Sequence, residues 1–225
     1  MPYFSIAIDG PAGAGKSTIA KKIAKKLGFI YVDTGAMYRA MALYFIRNNI
    51  KADDFDNIER SCDKINISIE YKDGEQIVLL NGENVNGLIR TEEVGNMASA
   101  VSVNKTVRLK LVELQRKLSL TNNVIMDGRD IGTYVLPDAD LKIFLTASSN
   151  VRALRRYKEL REKGIEADIS VIEKDIIDRD NRDMNREFAP LRQAEDAVLV
   201  DTSDMTIDEV VDYIINLYQN KKENK

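Results

Sequence analysis

The chain has 225 residues, 44% hydrophobic and 31% charged, with 36 acids against 33 bases and a formal charge of −3. It contains no histidine, no tryptophan and one cysteine, Cys62, which excludes imidazole catalysis, a His-based zinc site, an internal disulfide and a Cys-rich metal knot. The acidic balance argues against non-specific nucleic-acid binding, the first residues lack the features of a signal peptide, and no stretch reaches the ~18–20 apolar residues of a membrane span. These features predict a soluble cytoplasmic protein with no nucleic-acid or membrane partner.

Strand-like apolar runs alternate with helical patterns, the signature of a parallel α/β sheet. The first run, Tyr3–Asp9, leads directly into a glycine-rich turn. Beyond it Ile19, Ala20, Ile23, Ala24 and Leu27 recur at helical spacing, with Gly28 placed to end the helix. A second strand, Phe29–Asp33, is followed by a helix over Gly35–Asn48. The pattern then changes: Asn66–Tyr71 alternates, Asp73-Gly74 is a hairpin signal and Gln76–Leu80 runs back, predicting a small antiparallel insertion at roughly residues 60–92. Helical patterning resumes over Thr91–Leu120 with a break near Val103-Asn104. Three further strands are predicted at Val124–Met126, Leu141–Leu145 and Ala197–Val200, completing five parallel strands. Charged helices at Asn150–Lys163 and Ser170–Glu187, joined through Gly164, separate the last two strands. A final helix over Ile207–Tyr218 precedes a lysine-rich tail expected to fray.

Gly10-Pro11-Ala12-Gly13-Ala14-Gly15-Lys16-Ser17-Thr18 matches GxxxxGK[ST] between a strand and a helix, where a phosphate-binding loop must lie. Its glycines let backbone N–H groups turn inward as an anion nest at a helix N-terminus. Lys16 is then placed for the β- and γ-phosphates of a nucleoside triphosphate and the Ser17 hydroxyl for Mg²⁺. Asp127, ending an apolar run, has the position of a second Mg²⁺-side group, although an Asp there equally caps a turn. The loop does not say what receives the phosphate. Asn104-Lys105-Thr106-Val107 fails as a guanine-reading motif at its last position, and a small-molecule kinase fits the length best.

Three further clusters suit an anionic acceptor: residues 33–39 (DTGAMYR), 127–130 (DGRD) and 179–186 (RDNRDMNR). The first two end strands, where open α/β sheets form their ligand crevice. Eight of the fifteen arginines fall within residues 152–192. Arg179, Asp183 and Arg186 share one helical face, as do Arg152, Arg155 and Arg156. Arg179 with Asp183, and Asp178 with Arg182, are also spaced for a salt-bridged surface helix. Met37, Met41, Leu43 and Tyr44 read as packing, and Cys62 as a small buried apolar residue.

Through GPAGAGKST at 10–18, DTGAMYR at 33–39, the ASA around Ser99, the VR ending at Arg108, DGRDIGT at 127–133 and the arginine-rich run at 179–186, the chain resembles the bacterial cytidylate kinases over nearly its whole length. The resemblance implies an α/β fold of the P-loop NTPase type: a five-stranded parallel sheet flanked by helices, an antiparallel nucleoside-monophosphate insertion and a helical lid. It divides one kinase domain into core (1–34, 97–149, 188–225), insertion (35–96) and lid (150–187). The implied reaction is transfer of the ATP γ-phosphoryl group to CMP, and to dCMP, with Mg²⁺ as cofactor in a monomer. It places Ser99, Arg108 and Asp130 at the base, Thr34, Arg179 and Asp183 at the sugar, and Arg39, Arg129 and Arg186 at the phosphate. Arg156, with Arg155, would reach the transferring phosphoryl group from the lid, beside Lys16. Such an acceptor is already ionised, so no limb of the pH–rate profile near neutrality is expected to trace to a side-chain base, only to substrate phosphate ionisation or Mg²⁺ binding. Rival readings are a kinase for another acceptor such as UMP, AMP or shikimate, and a nucleotide-dependent switch.

Overall fold

A computed structural model describes residues 3–72 and 74–223. Its principal sheet has five parallel strands in the order β2-β6-β1-β7-β8, formed by Ile30–Asp33, Val124–Gly128, Ser5–Asp9, Leu141–Thr146 and Val198–Asp201 respectively. Each predicted parallel strand is present, within a residue or two of its expected bounds. The chain forms two compact units, Ile30–Val124 and the pair of segments Phe4–Phe29 and 125–223.

In the second unit β1 is buried along its whole length, as a central strand covered on both faces must be. Ile6, Ile8, Ile125, Ile143 and Leu145 supply the sheet's share of the core. α1 (Lys16–Leu27) presents Ile19 and Ile23 inward, and ends at Gly28 in the left-handed conformation, its N–H donating to the Ala24 carbonyl. α8 (Ile207–Glu223) buries Val211 and Ile214 and carries Tyr218 edge-on to Phe4 and Phe29. It takes in three of the tail residues expected to fray; Asn224 and Lys225 lie outside the described residues. α6 (Ser149–Glu162) and α7 (Ile169–Asn185) pack together, joined through Gly164 at positive φ.

The first unit carries the antiparallel sheet β3-β4-β5, from Ile67–Lys72, Glu75–Leu80 and Glu83–Asn84. Asp73 of the expected hairpin turn lies outside the described residues; Gly74 beside it has φ 79°, the conformation that turn requires. α2 (Thr34–Arg47) buries Met37, Met41 and Phe45, and Cys62 is buried as read from the sequence. The helical stretch after the insertion is split as predicted into α4 (Glu92–Val101) and α5 (Lys105–Thr121), because the Asn104 side chain caps α5 by accepting from Thr106 and Val107. α3 (Phe55–Cys62) has no counterpart among the predicted elements. Only Ile58 and Cys62 face inward, too short an apolar pattern to register as a helix.

Candidate active site

Gly10 follows the last residue of β1 with φ 146°, and a Cβ there would overlap the Leu145 carbonyl oxygen, so no other residue fits. Gly13 and Gly15 also take positive φ, and Gly15 caps α1 with no side-chain bond to its first N–H groups. Those donors and the helix dipole are the binding surface of a phosphate nest. Lys16 is buried, with Nζ donating to the Pro11 carbonyl at 2.7 Å. Burial and the Arg129 guanidinium push its ammonium well below the ordinary lysine range, against the opposing pull of Asp127. Thr18 is exposed on the first turn of α1, while Ala14 is buried beneath the loop.

Ser17 donates from Oγ to Asp127 Oδ2 at 2.7 Å, which joins the two residues singled out for Mg²⁺. A hydroxyl and a carboxylate are hard oxygen donors, and two of them beside a phosphate nest fit an ion that takes its remaining ligands from phosphate and water.

The DGRD and 179–186 clusters meet within the second unit. Arg129 donates from Nε to Asp183 at 2.8 Å, and its NH1 donates to the Gly128 carbonyl at 3.3 Å. Arg186 NH2 lies 3.4 Å from Asp130 and NH1 4.0 Å from Asp183, while its Nε donates to the Ala189 carbonyl at 2.7 Å. Burial would raise the Asp183 carboxyl, but Arg129, Arg179 and Arg186 outweigh it and hold the group below its ordinary range. Burial correspondingly disfavours the Arg129 cation, and Asp183, Asp127 and Asp180 more than offset that. Asp180 and Asp183 are each 5% exposed, so this face of α7 is not the salt-bridged surface helix that its spacing also allowed.

The base and phosphate candidates of the first unit have their own scaffold. Asp33 caps α2 by accepting from the Ala36 N–H at 2.8 Å, accepts from Arg90 at 2.5 Å, and lies 4.0 Å from Arg39. Gln76 of β4 pairs with both backbone groups of Asp33, accepting its N–H and donating to its carbonyl, much as a strand neighbour would. Thr34 is buried at the first position of α2. Arg108 is 1% exposed, donates to the Ser102 carbonyl and lies over the Tyr38 ring at 5.5 Å. Ser99 is buried, with its carbonyl accepting from Ser102 Oγ.

On α6 the two expected arginines have partners outside the phosphate loop. Arg156 is exposed and paired with Glu159, and Arg155 donates to the Thr202 hydroxyl and carbonyl. Arg152 is the one that reaches the phosphate loop. It donates to Ala12 at 3.0 Å, to Ala147 at 2.8 Å and to Asp180 at 2.6 Å. Sequence reasoning noted Arg152 only as sharing a face and missed Asp180. It also missed Asp9, whose two carboxylate oxygens accept from Ile131 and Gly132 at 2.7 Å each. Burial outweighs those bonds and raises Asp9 to about 7. The available signal was a charged residue ending a mostly apolar run just before the loop.

Known proteins resemble this chain over nearly its whole length. The family model for cytidylate kinase matches residues 6–220. A cytidylate kinase from Caldicellulosiruptor saccharolyticus is 53% identical over 97% of this chain and 96% of its own. One from Alkaliphilus oremlandii is 52% identical over 96% and 98%. Among solved structures, an uncharacterized protein from Eubacterium ventriosum aligns over 95% of this chain and 97% of its own with a TM-score of 0.53 at 12% identity, a likeness of fold alone. By the family model over residues 6–220 and by relatives more than 50% identical over nearly its whole length, the chain belongs to the cytidylate kinase family.

Proposed function

We propose that the chain transfers the γ-phosphoryl group of ATP to CMP, and to dCMP, as a cytoplasmic monomer in pyrimidine nucleotide metabolism. What supports this reading is geometric: the phosphate loop with Lys16 and the Ser17–Asp127 pair, and in the same unit the buried Arg129–Asp183 and Arg186–Asp130 pairs. One site thus offers cations to two phosphate groups, as a donor and an anionic acceptor require. The core comprises 1–34, 97–149 and 188–225, the insertion 35–96 and the lid 150–187.

An oxygen of the acceptor phosphate attacks the γ-phosphorus in line. The new P–O bond forms as the bond to the β,γ-bridging oxygen breaks, and ADP carries away that electron pair. The nucleophile is already ionised, so positioning and charge neutralisation are the whole of the protein's task. Residues 10–18 and Lys16 cradle the triphosphate. Ser17 and Asp127 would hold Mg²⁺, which supplies charge neutralisation at the phosphates when bound. Arg39, Arg129 and Arg186 hold the CMP phosphate through forked donors, and Asp183 fixes the plane of Arg129 through Nε. Thr34, Arg179 and Asp183 face the sugar. Arg156 and Arg155 serve the transferring group. The Arg156 pairing with Glu159 is exposed, and such surface pairs hold weakly, so turning Arg156 to a phosphate costs little.

Asp130, Ser99 and Arg108 read the base. Cytosine turns an N4 amino donor outward where uracil turns an acceptor, so a carboxylate at that point favours the first and repels the second. The experiment is ADP release measured against CMP, dCMP, UMP and AMP, in wild type and Asp130→Asn. CMP and dCMP should be preferred, with the CMP:UMP ratio of kcat/KM narrowed in the variant. Equal use of all four acceptors, or ATP hydrolysis indifferent to any of them, would refute the reading.

A further inference from the structure

The residues after β6 form a single π-type turn, Ile131–Val135, with Asp130 at its N-terminal cap position. The Asp130 carbonyl accepts from Tyr134 at 2.9 Å and from Val135 at 3.0 Å, so its backbone starts the turn. An Asp at a cap position ordinarily bends its own carboxylate back onto the N–H groups that follow. Asp130 makes no such bond, and its carboxylate instead lies 3.4 Å from Arg186.

Another residue caps the turn. Asp9 ends β1, and its Oδ1 accepts from Ile131 N–H and its Oδ2 from Gly132 N–H, both at 2.7 Å. Both carboxylate oxygens of a 3%-exposed side chain are thereby committed to the first two donors of the turn. Gly132 lies against both side chains: a Cβ there would lie 3.1 Å from Lys142 Cδ and, at an ordinary contact distance, 3.4 Å from Asp9 Oδ2. Lys142 in turn donates to the Pro137 carbonyl at 2.5 Å, holding the far side of the loop.

We infer that Asp9 is a positioning residue for acceptor recognition: by capping the 131–135 turn from β1 it keeps the Asp130 carboxylate off the turn's N–H groups and beside Arg186, on the side read as meeting the acceptor. Asp9 immediately precedes Gly10, so the same residue sets the start of the phosphate loop and the direction of the acceptor-reading carboxylate. The inference rests on the reading of Asp130 as a base-recognising group. If Asp9 loses its acceptor oxygens, Asp130, at the cap position directly before the abandoned N–H groups, can turn its carboxylate onto them, and in doing so it leaves the acceptor.

The test is a double-mutant cycle of Asp9→Asn and Asp130→Asn, scored on the ratio of kcat/KM between the two acceptors that wild type separates most, with folding followed by circular dichroism. Asp9→Asn places an amide donor against one of two N–H donors, and the mismatch should narrow the ratio on the order of 10-fold. In the Asp130→Asn background the same substitution should narrow it no further, since its effect runs through Asp130. A general loss of packing would lower turnover for every acceptor and leave the ratio unmoved. Asp9→Ser keeps a single acceptor oxygen on a smaller side chain and should narrow the ratio too, which keeps the test decisive if Asp9→Asn does not fold. An unchanged ratio in the folded variants, or an equal effect of Asp9→Asn in both backgrounds, overturns the inference. Wild-type preference for an acceptor other than CMP overturns instead the reading of the acceptor, and the cycle is then scored on that acceptor.

Discussion

Arg152→Met should destabilise the chain through the carboxylate it leaves behind. Arg152 and Asp180 have side chains 7% exposed each and meet at 2.6 Å. Asp180 Oδ1 has no hydrogen-bond partner among the described residues, so the guanidinium is the principal compensation for this buried charge. Removing one member of a buried pair costs about 3–5 kcal/mol. At roughly 2–4 °C per kcal/mol for a chain of this size, the melting temperature should fall by roughly 6–20 °C. Replacing Asp180 by leucine as well removes the stranded charge at similar volume, so Arg152→Met/Asp180→Leu should recover most of that loss. The two effects of Arg152 then separate. The Ala12 carbonyl of the phosphate loop loses its donor in both variants, so KM for ATP should stay raised in the double variant while its stability returns. Scanning calorimetry and initial rates at varied ATP measure the two quantities. A single variant melting within 2 °C of wild type (about 1 kcal/mol), or a double variant no more stable than the single one, would refute this account of the pair.

Lys16→Met should abolish turnover, on the order of 10³-fold or more, because it removes a cation from the transferring phosphates, while CMP binding measured by calorimetry survives; near wild-type kcat would exclude Lys16 from the reaction. The Asp9 carboxyl, raised to about 7 from an ordinary 3.8, predicts a slope in stability against pH. Between these values the native chain holds a proton that the unfolded chain has released, so stability falls as pH rises from about 4 to about 7. The difference in urea midpoint between wild type and Asp9→Asn, followed from pH 4.5 to 7.5 (about the span of the shift), should show that slope in wild type alone.

Where chemistry is held by consecutive residues, it was legible in advance. The phosphate loop is recognisable because one stretch of backbone, glycines included, makes the nest, and because the strand before it and the helix after it carry their own periodicities. The five parallel strands and the antiparallel insertion were legible for the same reason, each being bounded by local turn signals. α3 escaped notice because two inward residues make no pattern. Arg152 escaped because an arginine among arginines on one helix face carries no mark of which one will be buried.

Sequence alone thus determined the residue types, their spacing along each element and the kinship to one kinase family. Tertiary structure decided which side chain each of them meets. Strand order β2-β6-β1-β7-β8 places β1 between β6 and β7, and so brings Asp9 to the turn that follows β6, 122 residues away along the chain. The pairing of Arg129 with Asp183 and of Arg152 with Asp180 likewise spans 54 and 28 residues. No local periodicity encodes such partners. A buried charge takes the complementary group that the packed sheet and helices bring within hydrogen-bond reach, and that choice exists only once the strands have found their order.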